Sequence, residues 1–275
     1  GQAPIHELAR LLPQCGTSDD FSVACQAMKQ RMKQVKEADA GAVAEAIVHA
    51  MRMYFGHDRC AERCKPLVDV LDEFCASKEC LRPLEQELLR GLLREQLRNL
   101  HDSAWTKNIE GGQQLLRAIN LSCVMLLNNI SRASAAGLLL DLGADESEAI
   151  ASSLVVKCLR KVTKGLATSS AADAEVTALL GALGRWLRRA TPRLSLGSPS
   201  GRPQSGRPRS SMEVAVAALL EGAREVVDVA QLASRSVALA WADQLRPEER
   251  LLLQGCQPPV GAAASNSSAG ADGCR

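Results

Sequence analysis

Apolar side chains recur at helical spacing between Ile109 and Ile130, and this repeat constrains the fold more than any other feature of the chain. At 100° per residue, one broad arc collects Leu115, Leu116, Ile119, Cys123, Leu126, Leu127 and Ile130. A thinner apolar patch on another side consists of Ala118, Leu121 and Met125. A helix with two apolar flanks needs neighbours on both, so the pattern predicts a middle helix in a stack.

Two polar residues, Arg117 and Asn120, interrupt this apolar stretch. They gather with Gln113 and Asn128 on one narrow edge of the projected helix. A buried polar group without a partner costs about 1–3 kcal/mol. We therefore expect Arg117 and Asn120 to be structural polar residues that satisfy carbonyl groups at a neighbouring turn.

The composition extends the helical interpretation to the whole chain. Apolar residues make up 46% of the 275 residues but aromatic residues only 3%, so the core must be built from Leu, Ala and Val. Leu and Ala favour helices, and the alternating pattern of strands is nearly absent. The prediction is an all-α fold made of helix pairs with short turns, a HEAT-like helical-repeat solenoid. A closed helical bundle is the alternative.

The domain organisation follows from a change in composition after Thr191. Residues 1–191 are predicted to form the helical-repeat domain, and its last helix, Ala171 to Ala190, to end before Pro192. Residues 192–211 are rich in Pro, Gly, Ser and Arg and are predicted to form a disordered insert. A helical pair at 212–255, Met212 to Val229 and Gln231 to Leu245, would complete the stack. Residues 256–275 are predicted to be a disordered tail.

Further helix boundaries rest on single residues. Asp39 is predicted to cap a helix from Ala42 to Phe55. Leu81-Arg82-Pro83 is predicted to open a long helix that ends near Leu100, and a later helix to run from Asp145 to Leu166. The chain starts at Gly1 without an initiator methionine, and we expect it to be a piece of a longer protein.

The cysteines are predicted to be free thiols, which fits a reducing, cytoplasmic compartment. Cys25, Cys123 and Cys158 fall on apolar helical arcs. One zinc site can be drawn, from His57, Cys60, Cys64, Cys75 and Cys80. Structural zinc prefers close C-x2-C pairs on turns, which these spacings lack. We expect no metal and no cofactor.

No pattern of catalytic residues emerges. The four histidines have no paired Ser or Cys in a nucleophile context, and no phosphate-binding or dinucleotide motif occurs. Gly111-Gly112 opens a helix and could receive a phosphate. Without a preceding strand or a lysine, a structural role for these glycines is favoured. The prediction is a non-enzymatic protein with no catalytic residues.

Basic residues gather on two successive helices and are the candidate partner-binding residues: Lys157, Arg160, Lys161 and Lys164 on the first, and Arg185, Arg188 and Arg189 on the second. They could form a solvated face that complements helix dipoles. They could instead dock an acidic protein surface. Nucleic acid is not expected, because aromatic residues for base stacking are missing. A membrane span is not expected either, because no run of about 18 apolar residues occurs.

Two blocks of sequence resemble a known family. Residues 112–121, GQQLLRAINL, and residues 154–162, LVVKCLRKV, are similar to motifs in the C-terminal conserved region of the TOG-domain microtubule polymerases. The resemblance extends from about Phe21 to Thr191, and more faintly from Met212 to Ala233. The family usually has a tryptophan where this chain has Arg160.

The resemblance implies a TOG-like repeat domain of a microtubule-associated protein at spindle poles or a microtubule-organising centre. Its expected partners are a coiled-coil spindle adaptor protein, and tubulin or microtubules either directly or through the full-length protein. The first joints, Ala38-Asp39 and 56–58, lack the tryptophan with which TOG modules hold tubulin. The leading hypothesis is therefore an interaction module that docks the adaptor. The alternative is direct binding of tubulin or the microtubule lattice through the basic helix face.

Overall fold

The structure, a computed structural model, describes residues 5–55, 61–102, 104–143, 152–166, 172–196 and 211–254. These residues form helices joined by short turns, and none of them lies in a β-strand. The all-α prediction is confirmed. The predicted tail at 256–275 and most of the predicted insert, 197–210, lie outside the described residues.

The helices of the N-terminal part are α1 (Ile5–Leu11), α2 (Ser18–Arg31), α3 (Glu37–Tyr54), α4 (Ala61–Ala76), α5 (Lys78–Leu81), α6 (Gln86–His101) and α7 (Ala104–Asn108). Those of the C-terminal part are α8 (Gly112–Asn129), α9 (Arg132–Gly143), α10 (Ser152–Thr163), α11 (Ala172–Leu196), α12 (Ser211–Ala233), α13 (Arg235–Asp243) and α14 (Pro247–Gln254). Two 3-10 turns, Leu12–Gln14 and Met32–Gln34, follow α1 and α2.

The helices pack as two rows in the order of the chain. One row runs through α1, α3, α6, α9, α11 and α13, and the other joins α2 to α4, α4 to α8, and α10 to α12. Contacts such as α6 with α8 and α9 with α10 connect the rows. Within the described residues, α1 to α4 make no extensive contact with α11 to α14. This open order favours the predicted solenoid over a closed bundle.

The core is aliphatic, as the composition indicates, and aromatic rings reinforce its N-terminal part. Leucines such as Leu71 and Leu92 are fully buried. Phe21 and Tyr54 meet edge to face, with ring centroids 4.7 Å apart. Phe55 and Trp105 do the same at 5.1 Å. Such pairs add about 0.5–1.5 kcal/mol to the burial of their area.

The predicted helix boundaries in the N-terminal part are partly wrong. The helix expected from Ala42 begins at Glu37, so Asp39 does not cap it. Asp39 lies in the first turn, where its carboxylate pairs with His6 Nδ1 at 3.2 Å. The long helix expected from Leu81-Arg82-Pro83 is two helices, because α5 ends at Leu81 and α6 begins at Gln86. Pro83 has no N–H to donate and stops α5 from continuing.

The boundaries in the C-terminal part also differ from the prediction. The helix expected to end before Pro192 continues to Leu196. Proline disfavours a helical residue before it, but Thr191 is buried and its hydroxyl donates to the Leu187 carbonyl at 2.7 Å. The helix expected to reach Leu166 ends earlier, at Thr163. Gly165 then takes a left-handed φ of 79°.

Residues 211–254, the described part that follows the insert, form three helices instead of the predicted pair. The break expected before Gln231 lies at Ser234, so α12 runs through Ala233. The last helix, α14, begins at Pro247, and at a first helical position the missing N–H of proline costs nothing. The Arg224 guanidinium of α12 donates to the carbonyls of Leu253 (2.6 Å) and Leu252 (3.0 Å) and anchors the end of α14.

The glycine pair before α8 has a structural role. Gly111 has a φ of 71°, in the left-handed region that favours glycine. A Cβ atom on Gly112 would lie 1.8 Å from the Trp105 carbonyl oxygen. The α7–α8 turn therefore requires glycine at both positions, independently of any phosphate.

Candidate interaction surface

Arg117 and Asn120 do not have the predicted role. Both side chains are exposed on α8, and neither bonds a carbonyl group among the described residues. The second apolar patch is also incomplete, because Leu121 is 54% exposed. The apolar pattern therefore predicted the length of α8 correctly, but it did not predict correctly which side of α8 packs against other helices.

Asn129, nine residues after Asn120, makes the contact that the sequence analysis assigned to Asn120. Its Nδ2 atom donates to the carbonyl oxygens of Cys75 (2.9 Å) and Ala76 (3.2 Å) at the end of α4. Ser122, which is fully buried, donates its hydroxyl to the Asp72 carboxylate of the same helix. Burial raises the pKa of Asp72 above its ordinary value, although the Ser122 bond opposes that shift. These bonds hold α8 against α4.

The basic face of α10 arises from a strongly amphipathic sequence. Val155, Leu159 and Val162 are buried. On the side that packs against α12, a Cβ atom on Gly222 would lie 3.2 Å from Val156, so glycine permits a close approach of the two helices. Lys157 and Lys161 project from the opposite face and are exposed, and Lys164 follows directly after the helix.

Arg160 differs from the neighbouring basic residues because it forms an ion pair within the chain. Its guanidinium donates through Nε to Glu225 Oε2 at 2.6 Å and through Nη2 to Glu225 Oε1. This fork geometry joins α10 to α12. The hydrogen bonds from Arg160 lower the pKa of Glu225 below its ordinary value. Arg160 is thereby tied to Glu225 within this chain, although its side chain stays exposed.

Arg189 is engaged in the same way. Its Nη2 atom donates to both carboxylate oxygens of Asp141, at 2.7 and 3.0 Å, and joins α11 to α9. The neighbouring Arg185 and Arg188 are exposed. The predicted site thus divides into two paired arginines and five exposed cations that form no ion pair with the described residues.

We call Lys157, Lys161 and Lys164 the lysine row. Lys157 and Lys161 lie one turn apart on the same face of α10, Lys164 follows in the turn after the helix, and all three are exposed. No carboxylate of the described residues lies within ion-pair distance of them. Arg185 and Arg188 belong to α11, which packs against α9 and α12 as α10 does. The lysine row is the candidate interaction surface.

Sequence reasoning missed the two acidic partners, Glu225 and Asp141. Each is far along the chain from its arginine and belongs to a helix whose neighbours could not be read from periodicity. The only sequence signal was an acidic residue at a helical position that faces a basic helix. That signal is common on solvated faces and does not single out a pair.

The cysteines form no metal site in the part of the chain that the structure describes. Cys25, Cys64, Cys75 and Cys123 are buried free thiols. Cys64 donates to the Tyr54 carbonyl at 3.4 Å, and Cys75 accepts from Gln96 Nε2 at 3.6 Å. His57 and Cys60, two members of the zinc set considered above, lie outside the described residues. Among the described residues, no three or more potential ligands converge as a metal site would require.

The chain matches no known protein family, no characterised protein and no solved structure. None of the described helices combines the length and the apolar character that a membrane span requires.

Proposed function

We propose that this chain is a non-enzymatic interaction module of a microtubule-associated protein of the TOG polymerase family. In this proposal it docks a coiled-coil adaptor protein and contributes to the organisation of microtubules and spindles in the cytoplasm. The family and the adaptor come from the resemblance of residues 112–121 and 154–162 to the C-terminal conserved region of those polymerases. The docking role is supported by the surface of α10.

The observation that carries the proposal is the lysine row. Three exposed cations, two on α10 and one in the turn after it, form no ion pair with the described residues and leave an unbalanced positive potential. Arg160 and Glu225 hold that helix to α12, so the row is presented on a fixed support. A rigid, charged edge of this kind steers an acidic helix and sets its register.

The second candidate is direct binding of tubulin through the same face. Acidic chain segments at the microtubule surface are complementary to the lysine row, and exposed lysines need no preformed pocket to attract them. Arg185 and Arg188, also exposed, add charge on α11. This alternative differs from adaptor docking because it requires no third protein.

Purified microtubules separate the two candidates. Direct binding predicts that the chain sediments with microtubules alone at low salt and is released as the ionic strength rises. Adaptor docking predicts that the chain stays in the supernatant until the coiled-coil region of the adaptor is added. The whole proposal is wrong if the chain binds neither microtubules nor such adaptors.

A further inference from the structure

The outer face of α13 is exposed at the end of its row of helices. On the inner face, Ala238 is fully buried, and α13 packs against α11 and α12. Trp241 lies close to Gly184 of α11, where an added Cβ atom would be 3.2 Å from the indole Nε1. Glycine at that position therefore lets the indole approach α11 closely. These contacts fix the position of α13 and leave its other face toward solvent.

Three exposed side chains follow one another along this outer face. Arg235, Leu239 and Asp243 recur every four residues, so they lie on one side of α13. Leu239 is 51% exposed and stands in the middle. The two charged residues are about 12 Å apart along the helix, too far to pair with each other, and neither forms an ion pair with another described residue. We call these three residues the α13 stripe.

The order of charges on α13 is the reverse of the order that stabilises a helix. Acidic residues favour the first turn and basic residues the last, because the amino end of a helix is partly positive and its carboxyl end partly negative. The helices α2, α3 and α6 follow this rule. In α13, by contrast, Arg235 is the first residue and Asp243 the last. The stability of the single helix therefore does not account for this arrangement.

We propose that the α13 stripe is a self-association surface, on which a second copy of this chain docks around a twofold axis. In an antiparallel pair of α13 helices, the two Leu239 side chains meet at the axis. Arg235 of each copy then faces Asp243 of the other. Each arginine lies at the negative carboxyl end of the opposite helix, and each aspartate lies at the positive amino end. One stripe thus supplies both halves of a complementary contact.

The surroundings of the stripe determine how strong the association is. Ser236 and Ala240 are exposed and small, so they allow the two helices to approach closely. Leu232, which is 79% exposed in the last turn of α12, adds apolar surface just before α13. Two nine-residue helices bury less area than a stable dimer needs, so the dimer should depend on concentration and salt. The inference is independent of the proposed docking function, because it uses neither the lysine row nor an adaptor.

The molecular mass of the full chain in solution tests the proposal. Sedimentation equilibrium at low salt should show a monomer–dimer equilibrium between micromolar and near-millimolar concentration, and added salt should weaken the dimer. Leu239→Glu places two carboxylates against each other at the axis and should raise the dissociation constant by about tenfold or more. Leu121→Glu on α8 is the matched control, because Leu121 is exposed to nearly the same degree, 54%. This control should dimerise as the wild type does.

An exchange of charges tests the pairing of Arg235 with Asp243. Arg235→Asp and Asp243→Arg should each weaken the dimer, because like charges then face each other. The double variant restores opposite charges and should dimerise nearly as well as the wild type. The proposal is overturned if the double variant is as weak as the single ones, or if Leu239→Glu dimerises like the wild type. It is equally overturned if the wild type stays monomeric at near-millimolar concentration, a result that depends on no variant.

Discussion

Arg160 of α10 and Glu225 of α12 form a two-pronged ion pair, with 2.6 Å between Arg160 Nε and Glu225 Oε2. The two residues belong to helices separated by α11 in the chain, and their side chains join the outer surfaces of α10 and α12. Arg160 therefore contributes to the packing of α10 on α12, whereas the lysine row beside it is exposed and forms no ion pair with the described residues.

The ion pair predicts a pH-dependent contribution of Glu225 to stability. Because Arg160 lowers the pKa of Glu225 in the folded state, the contribution is present above the unfolded pKa of about 4.3 and is lost as the pH falls through the lower folded value. Glu225→Gln should therefore melt below wild type at pH 7, and the difference should shrink toward pH 3. Thermal melts across this range check it. A difference that grows in acid would contradict the pairing.

Asn129 and Asn120 of α8 can be compared to test which of the two holds α8 against the end of α4. Asn129→Ala removes the donor for two carbonyls at the end of α4, so the free energy of unfolding should fall by about 1–3 kcal/mol. Asn120→Ala changes an exposed side chain and should stay within about 0.5 kcal/mol of wild type. Urea denaturation of both variants measures this. Equal losses would mean that Asn120 has the structural role after all.

Gly112 is predicted to be intolerant of any side chain. Alanine would place its Cβ atom 1.8 Å from the Trp105 carbonyl oxygen, so backbone must move, and the free energy of unfolding should fall by about 3 kcal/mol. Gly16→Ala is the control, because nothing lies within 4 Å of its Cβ position. Parallel denaturation curves compare the two. If Gly112→Ala were as stable as Gly16→Ala, the described α7–α8 turn would be wrong.

The helical class and the extent of α8 could be predicted from the sequence because both depend on local information. Periodicity over many residues and an aliphatic composition determine them, and the expected end near Ile130 agrees with Asn129. Pro192, by contrast, led to a wrong prediction of where α11 ends. A proline usually ends a helix, but α11 continues through Pro192 to Leu196, with Thr191 before it buried.

The candidate surface could be predicted only in part because charge pairing is a long-range property. The sequence grouped the basic residues on the exposed face of α10, and the structure agrees. The sequence could not show that Arg160 forms an ion pair and Lys157 does not, because the partner of Arg160 is Glu225, which lies in a helix distant along the chain. Likewise, periodicity places Asn120 and Asn129 on α8 without telling which of them reaches the end of α4.

Charge reversal of the lysine row tests the central claim most directly. The triple variant Lys157→Glu, Lys161→Glu and Lys164→Glu is compared with wild type for binding to purified microtubules and to the coiled-coil region of a spindle adaptor. The control carries the same charge change at three exposed lysines elsewhere: Lys33, Lys65 and Lys78. Circular dichroism verifies that both variants are folded.

If the lysine row carries the partner contact, its reversal weakens whichever binding the wild type has by about tenfold or more, and the control leaves that binding nearly unchanged. Equal affinities of the wild type and the triple variant, measured by co-sedimentation and calorimetry at low salt, would contradict the account.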